Sequence, residues 1–197
     1  MILALFDFDG TITTEDCYTK FLFFSTPKAR LYLGYFILLP VILLYKLDVL
    51  PANKTRSVLS KVAFWRRSES DVMSKAHDYV EHVLPSLMRQ NMLEKIQWHQ
   101  SQGHTVFVIS ASLHPYLSLW CKQHGINLIC SELECVDGKY TGNYTQGDCS
   151  GIRKVDLLKK QINISNYQHI YAYGDTEEDS AMLSIAHTRF YQGQQII

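Results

Sequence analysis

The chain has 197 residues, in which 19 Lys plus Arg balance 19 Asp plus Glu, so no global field would draw in nucleic acid. That length holds one sizeable core and an insertion, but not two full-sized domains. Five cysteines, odd in number and without a CxxC pair, point to reduced cytosolic thiols rather than a disulfide framework or a zinc site.

In chain order, Ile2 to Phe8 is a short apolar run closed by Asp9-Gly10, the pattern of a fully buried strand that ends in a turn. The opening MILALFDFDG lacks a basic leader and a small-residue cleavage site, which argues against a signal peptide. From about Asp16 to Pro85 no strand is legible and several helical patterns are, so residues 16–85 read as an all-helical insertion. The core then comprises residues 1–15 and 86–197. A helical pattern over Leu93 to Gln102 stops at Gly103, and Thr105 to Ser110 reads as a second buried strand. Pro115 to His124 is a helix with Gly125 as its stop, and Ile126 to Ser131 is a third strand. Asp137-Gly138, set between alternating residues from Glu134 to Thr145, signals a tight hairpin. Ile152 to Gln161 is helical, His169 to Gly174 is a fourth strand, and Glu177 to Ile185 is a last helix. Strands alternating with helices predict an α/β fold with a Rossmann-like open parallel sheet. Ligands on such sheets lie beyond the carboxyl ends of the strands, the edge that Asp7, Asp9, Ser110 and Asp175 share.

Residues two apart in a strand share a face, so Asp7 and Asp9 would converge at the end of the first strand. Two unpaired carboxylates there repel, and a divalent cation with oxygen preference, Mg²⁺ in particular, relieves the repulsion. Taken alone, the pair reads better as a turn former. Gly174 to Asp179, GDTEED, again ends an apolar strand and opens a helix, with Asp175 at the strand terminus and Asp179 one turn later. The three acids from Glu177 also suit the positive end of a helix, a preference that leaves Asp175 unexplained. Ser110 closes its strand beside Ala111, where a hydroxyl and free N–H groups would bind an anion. Ser112 reads as an ordinary N-cap. Lys154, in the first turns of its helix, can pair with phosphate and with the carboxylates, and Arg153 competes for that role.

DFDGT, then Ser after an apolar strand, then Lys, then GDxxxD: in this order the set resembles the haloacid dehalogenase superfamily of phosphohydrolases. Within it the layout resembles the phosphoserine phosphatase-like group, subfamily IB, with a helical cap inserted after the first motif. The resemblance implies that Asp7 is a nucleophile forming an aspartyl phosphate and that Asp9 protonates the leaving oxygen, then activates water. It implies Mg²⁺ held by Asp7, Asp175 and the Asp9 backbone carbonyl, with Asp179 in support, directly or through water. Ser110, Lys154 and the Ala111 N–H would hold phosphoryl oxygens, and Thr11 would fix the turn and orient Asp9. The motifs depart from those of phosphoserine phosphatases in Gly10, in Ala111-Ser112 and in Thr176-Glu177-Glu178, so the chemistry carries over while phosphoserine as substrate does not.

Leu31 to Tyr45 is fifteen residues without a charge, broken by Pro40 and flanked by Lys28, Arg30 and Lys46. Buried cap core is the leading expectation for it and surface contact with a membrane the second. The same expectation of core covers Phe21, Phe23, Phe24, Tyr32, Tyr35, Phe36, Met88, Met92 and Met182. Trp65-Arg66-Arg67 reads as solvated surface, with a second phosphate as the alternative. Glu15 is a candidate substrate contact, and the histidines show no zinc spacing. The substrate expected is a phosphorylated small molecule or a lipid headgroup: phosphoserine-like, histidinol phosphate or, as in some relatives, phosphatidylglycerophosphate-like. The place expected is the cytoplasm, with peripheral contact at the inner membrane in the lipid case. A non-catalytic phosphate-binding member of the same fold is the alternative, and a dehalogenase or mutase fits less well.

Overall fold

The computed structural model describes residues 1–47 and 49–196, with the side chain of Ile37 also left aside. Its main sheet has the order β3-β2-β1-β6-β7-β8. The strands are β1 (Ile2–Phe6), β2 (Thr105–Leu113), β3 (Asn127–Ser131), β6 (His169–Gly174), β7 (Thr188–Tyr191) and β8 (Gln194–Ile196). All neighbours are parallel except β7 and β8. β1 lies at the centre, Leu5 in register with Phe107 on one side and Ala172 on the other. Leu3 to Phe6 are wholly buried, as a strand covered on both faces requires. One face packs Phe6, Phe8 and Tyr173 beneath α5 (Gln90–Ser101) and α6 (His114–His124). The other packs Leu3, Leu5 and Ile109 against α7 (Ile152–Gln161) and α8 (Ser180–Ser184).

The α/β reading therefore holds, with two differences along the sheet. β2 runs on through Leu113, its register with β3 shifting between Ser110 and Leu113. β7 and β8 were not foreseen, because their residues are half-buried or exposed and lack an apolar run.

Between β1 and α5 lie α1 (Cys17–Ser25), α2 (Lys28–Lys46), α3 (Ala52–Phe64) and α4 (Glu69–His82). The two strands of chain that lead into and out of this stretch pair at Thr13 and Met88. A separate hairpin, β4 (Leu133–Val136) and β5 (Lys139–Tyr144), turns at Asp137-Gly138, both with positive φ. It clasps the end of α3: Arg66 N–H donates to the Tyr140 carbonyl at 2.8 Å, and Tyr140 N–H to Arg67 at 2.9 Å. Gly142 permits this closeness, since a Cβ there would stand 2.8 Å from the Lys61 Cα.

The expectation of a buried Leu31–Tyr45 is overturned. Tyr32 is 74% exposed and Phe36 81%, and Phe23, Phe24 and Tyr35 are exposed as well. Phe21, Met92 and Met182 are buried as expected, with Met88 partly so. The reason is geometric: α2 is apolar all round but, among the described residues, packs chiefly on α3, and one main neighbour covers one face. α2 bends by 63° between Lys28–Phe36 and Leu38–Lys46. Pro40 accounts for the bend, because its ring crowds the carbonyl of Phe36 four residues back and it has no N–H to donate. No single helix among the described residues is long and apolar enough to cross a membrane; the two halves of α2 meet that test only together.

Candidate active site

β1, β2 and β6 deliver their carboxyl ends to one place. Asp7 follows β1 directly, its N–H bonded to the Tyr173 carbonyl at 2.9 Å, so its buried side chain turns inward at the rim. Lys154, buried on α7, reaches the same point and places Nζ 2.5 Å from Asp7 Oδ1 and 2.5 Å from Asp179 Oδ1. The other Asp179 oxygen accepts from the N–H groups of Asp175 at 3.0 Å and Thr176 at 3.1 Å, which fixes the turn after β6. Burial pushes the Asp7 carboxyl well above the usual carboxylate range, the Lys154 ammonium opposing and the Asp179 and Asp9 charges adding. Burial alone would lower Lys154, yet Asp7 and Asp179 more than offset it and hold the ammonium above its ordinary value.

Asp7, Asp175 and Asp179 each offer a carboxylate oxygen, and these atoms lie within 4.8 Å of one another. Three carboxylates against one ammonium leave two negative charges among oxygen donors, the charge and chemistry that suit a divalent cation such as Mg²⁺. Gly10, at φ +75°, lets the Asp175 carboxylate close in: a Cβ at residue 10 would fall on it.

Thr11 does not orient Asp9. Its hydroxyl donates to Asp175 Oδ1 at 3.1 Å, so it steadies the acid of the distant strand. Asp9 is held by the Cys17 N–H at 2.8 Å, at the start of α1, and by the Ser112 hydroxyl. Ser112 is accordingly no N-cap: β2 carries it past Ser110, and the residue preceding α6 is Leu113, with no side-chain cap. Burial, with the Asp16 charge second, pushes the Asp9 carboxyl up to about 7 against the bonds from Ser112 and Cys17. Ser110 is buried, its hydroxyl accepting from the Ser112 N–H at 3.0 Å. Arg153 turns away to the Gln146 carbonyl.

Ser112 was visible as a hydroxyl but assigned to the wrong element, because the extension of β2 has no signature in Ser110-Ala111-Ser112-Leu113. Arg56 was missed altogether. From α3 it reaches Asp148 Oδ2 at 2.8 Å and Glu178 Oε1 at 2.8 Å, tying the helical stretch to the rim of the sheet. Arg67 departs from its solvated reading: it is buried, bonded to Asp71 at 2.6 Å and set over the Phe64 ring. Arg66 lies over Trp65. Neither lines the central cavity, whereas Glu15 does, paired with Lys20 at 2.9 Å.

That cavity, about 560 Å³, begins at Asp7, Asp9, Ser110, Ala111, Lys154 and Asp175. It continues between α1, α2 and α3 past Leu22, Leu38, Ile42 and Leu59.

The family model of the haloacid dehalogenase-like hydrolases matches residues 4–184, and the chain belongs to that family of hydrolases. The protein CicA of Caulobacter vibrioides is 25% identical over 193 residues, which cover 97% of this chain and 86% of CicA. A crystal structure of a Bordetella pertussis Tohama I protein is similar at a TM-score of 0.78 and 18% identity, with 95% of this chain and 88% of that one covered. A substrate-bound phosphoserine phosphatase complex aligns at a TM-score of 0.68 and 15% identity over 96% of this chain and 84% of its own. The fold is therefore that of the phosphoserine phosphatase-like hydrolases.

Proposed function

We propose that the chain is a Mg²⁺-dependent phosphomonoesterase working through an aspartyl phosphate on Asp7, with residues 16–85 as a cap over a core of 1–15 and 86–197. The reading rests on one observation above all: a buried lysine bridges Asp7 and Asp179 while Asp175 stands within 4.8 Å of both. An Asp7 oxygen attacks phosphorus, the bond from phosphorus to the ester oxygen breaks, and Asp9 gives that oxygen its proton. A carboxyl raised to about 7 still holds a proton to give at neutral pH. Asp9, now a carboxylate, takes a proton from water as the water oxygen attacks the same phosphorus. The bond to Asp7 breaks, and inorganic phosphate leaves.

Lys154, Ser110 and the Ala111 N–H hold the phosphoryl oxygens, supplying the positioning and charge that this chemistry needs. Asp7, Asp175, Asp179 and the Asp9 carbonyl would hold Mg²⁺, which when bound would supply positive charge beside the phosphoryl group. Completeness of the set argues against a non-catalytic phosphate-binding role. The test is hydrolysis of p-nitrophenyl phosphate: it should require Mg²⁺, stop with chelator, and fall at least ~10³-fold in Asp7→Asn. Turnover persisting in Asp7→Asn would sink the reading.

A further inference from the structure

The cavity is larger and more apolar than a phosphate group needs, and α2 forms much of its wall. Leu31, Gly34, Leu38, Ile42 and Tyr45 recur at helical spacing and line it. The rest of α2 faces outward: Tyr32, Leu33, Phe36 and Leu43 are all exposed. A helix apolar on every side belongs in a protein interior or in lipid, and here one side has neither. Among the described residues, twelve of the eighteen large exposed hydrophobic side chains fall between Phe23 and Val49. So extensive a patch marks a binding surface.

Charge says what covers it. Residues 17–67 contain nine Lys and Arg but a single acid, Asp48. Lys20, Arg56 and Arg67 are paired with acids outside that stretch, which leaves six basic residues to Asp48, and residues 16–85 as a whole carry a net charge of +4 in a chain whose total is zero. Lys28 and Lys46, the first and last residues of α2, are exposed at the two ends of this apolar surface. Hydrocarbon with a basic surround fits an anionic lipid bilayer, acyl chains meeting the patch and headgroup phosphates the lysines. A second copy joined through the same face would set like charge against like.

We propose that the helical segment docks on an anionic bilayer through the outer face of α2. Its substrate is a phosphate monoester with a hydrocarbon tail, the phosphate at Asp7 and the tail in the cavity between α1, α2 and α3. This deepens the phosphomonoesterase reading and rests on it. A small polar ester would leave those apolar walls unused, whereas each methylene laid against them adds binding free energy.

The test uses the full chain and two comparisons. Vesicles of phosphatidylcholine with about 30% phosphatidylglycerol should recover at least ~10-fold more protein than phosphatidylcholine alone, with release at high salt. The pair Tyr32→Glu and Phe36→Glu, both on the exposed face, should abolish that recovery and leave p-nitrophenyl phosphate hydrolysis unchanged. Second, oleoyl lysophosphatidate in neutral micelles should exceed glycerol 3-phosphate in kcat/KM by ~100-fold or more, the phosphate and glycerol being common to both. Ile42→Trp, which narrows the cavity, should bring the two esters within ~10-fold. Equal rates for the two esters, or no vesicle recovery, alongside intact p-nitrophenyl phosphate hydrolysis would overturn this proposal and leave the phosphatase reading standing. A dimer dispersed by Tyr32→Glu and Phe36→Glu, without vesicle recovery, would assign the face to a second copy and overturn it too. Hydrolysis of none of the esters by a folded chain would remove both readings.

Discussion

Asp9 shows how one side chain acquires its task from its neighbours. A carboxylate two residues after the nucleophile is free to turn several ways, and the N–H of Cys17 and the hydroxyl of Ser112 choose one. Ser112 is thus a positioning residue, and its removal should cost rate more than binding. Ser112→Ala is expected to lower kcat about 10-fold with KM nearly constant, and Ser112→Thr, which keeps a hydroxyl, to restore most of it. Steady-state kinetics of the two variants decides the matter: a change in KM alone would make Ser112 merely structural. The acids and Lys154 were legible because strand ends and motif spacing name them. The partner of Thr11 was not, since nothing local tells a hydroxyl to prefer Asp175, 164 residues away, over Asp9. Long-range partners of short polar side chains are set by how strands align, and that is a property of the assembled sheet.

At the scale of elements, α7 was legible to the residue because its amphipathic face is strong, and β6 because apolar residues run unbroken to a glycine. α2 shows where such reading fails. Hydrophobicity predicts burial only when enough neighbouring surface exists, and a helix that packs chiefly on α3 keeps most of its apolar residues outside. The Arg56 contacts have the opposite character, polar and almost hidden, with Asp148 also buried. Arg56→Ala strands the Asp148 charge and releases α3 from the sheet rim. It should lower stability by about 3 kcal/mol, as breaking a buried pair does. Chemical denaturation measures that loss, and faster hydrogen exchange confined to α3 would locate it. Asp148→Asn combined with Arg56→Ala should recover part of the stability, because no unpaired charge then remains.

For the molecule as a whole, the least expected feature lies where α5 packs on the sheet, outside the catalytic set. His99 is fully buried, with Nδ1 2.8 Å from Nδ1 of His104 and Nε2 2.9 Å from the Tyr173 hydroxyl. Two facing ring nitrogens share one proton, so the pair does not tolerate two charges. Burial, with the His104 and Lys95 charges adding, pushes His99 down from 6.5 to about 4. Between those values the unfolded chain binds a proton that the folded chain refuses, so stability falls as pH falls through the window. The loss should approach about 3 kcal/mol from pH 6.5 to 4, with little contribution from His99 above 6.5. Urea unfolding across that range, with a native-state NMR titration of His99, checks both the slope and its source. A midpoint near 6.5 in the folded protein would refute the account. The sequence offered eight histidines without metal spacing and no hint that two of them meet.

The hairpin that grips the end of α3 has a mechanical consequence. Since β5 binds Arg66 and Arg67 by backbone bonds, and Gly142 rests on Lys61, that margin of the helical layer is sewn to the body of the enzyme. Any opening that keeps those stitches must turn about them as a page turns on its spine. α1 is fixed as well, Phe21 packing on Tyr116 of α6 and Tyr79 of α4, so the edge that would travel farthest is α2, and a doorway there would face whatever α2 rests upon.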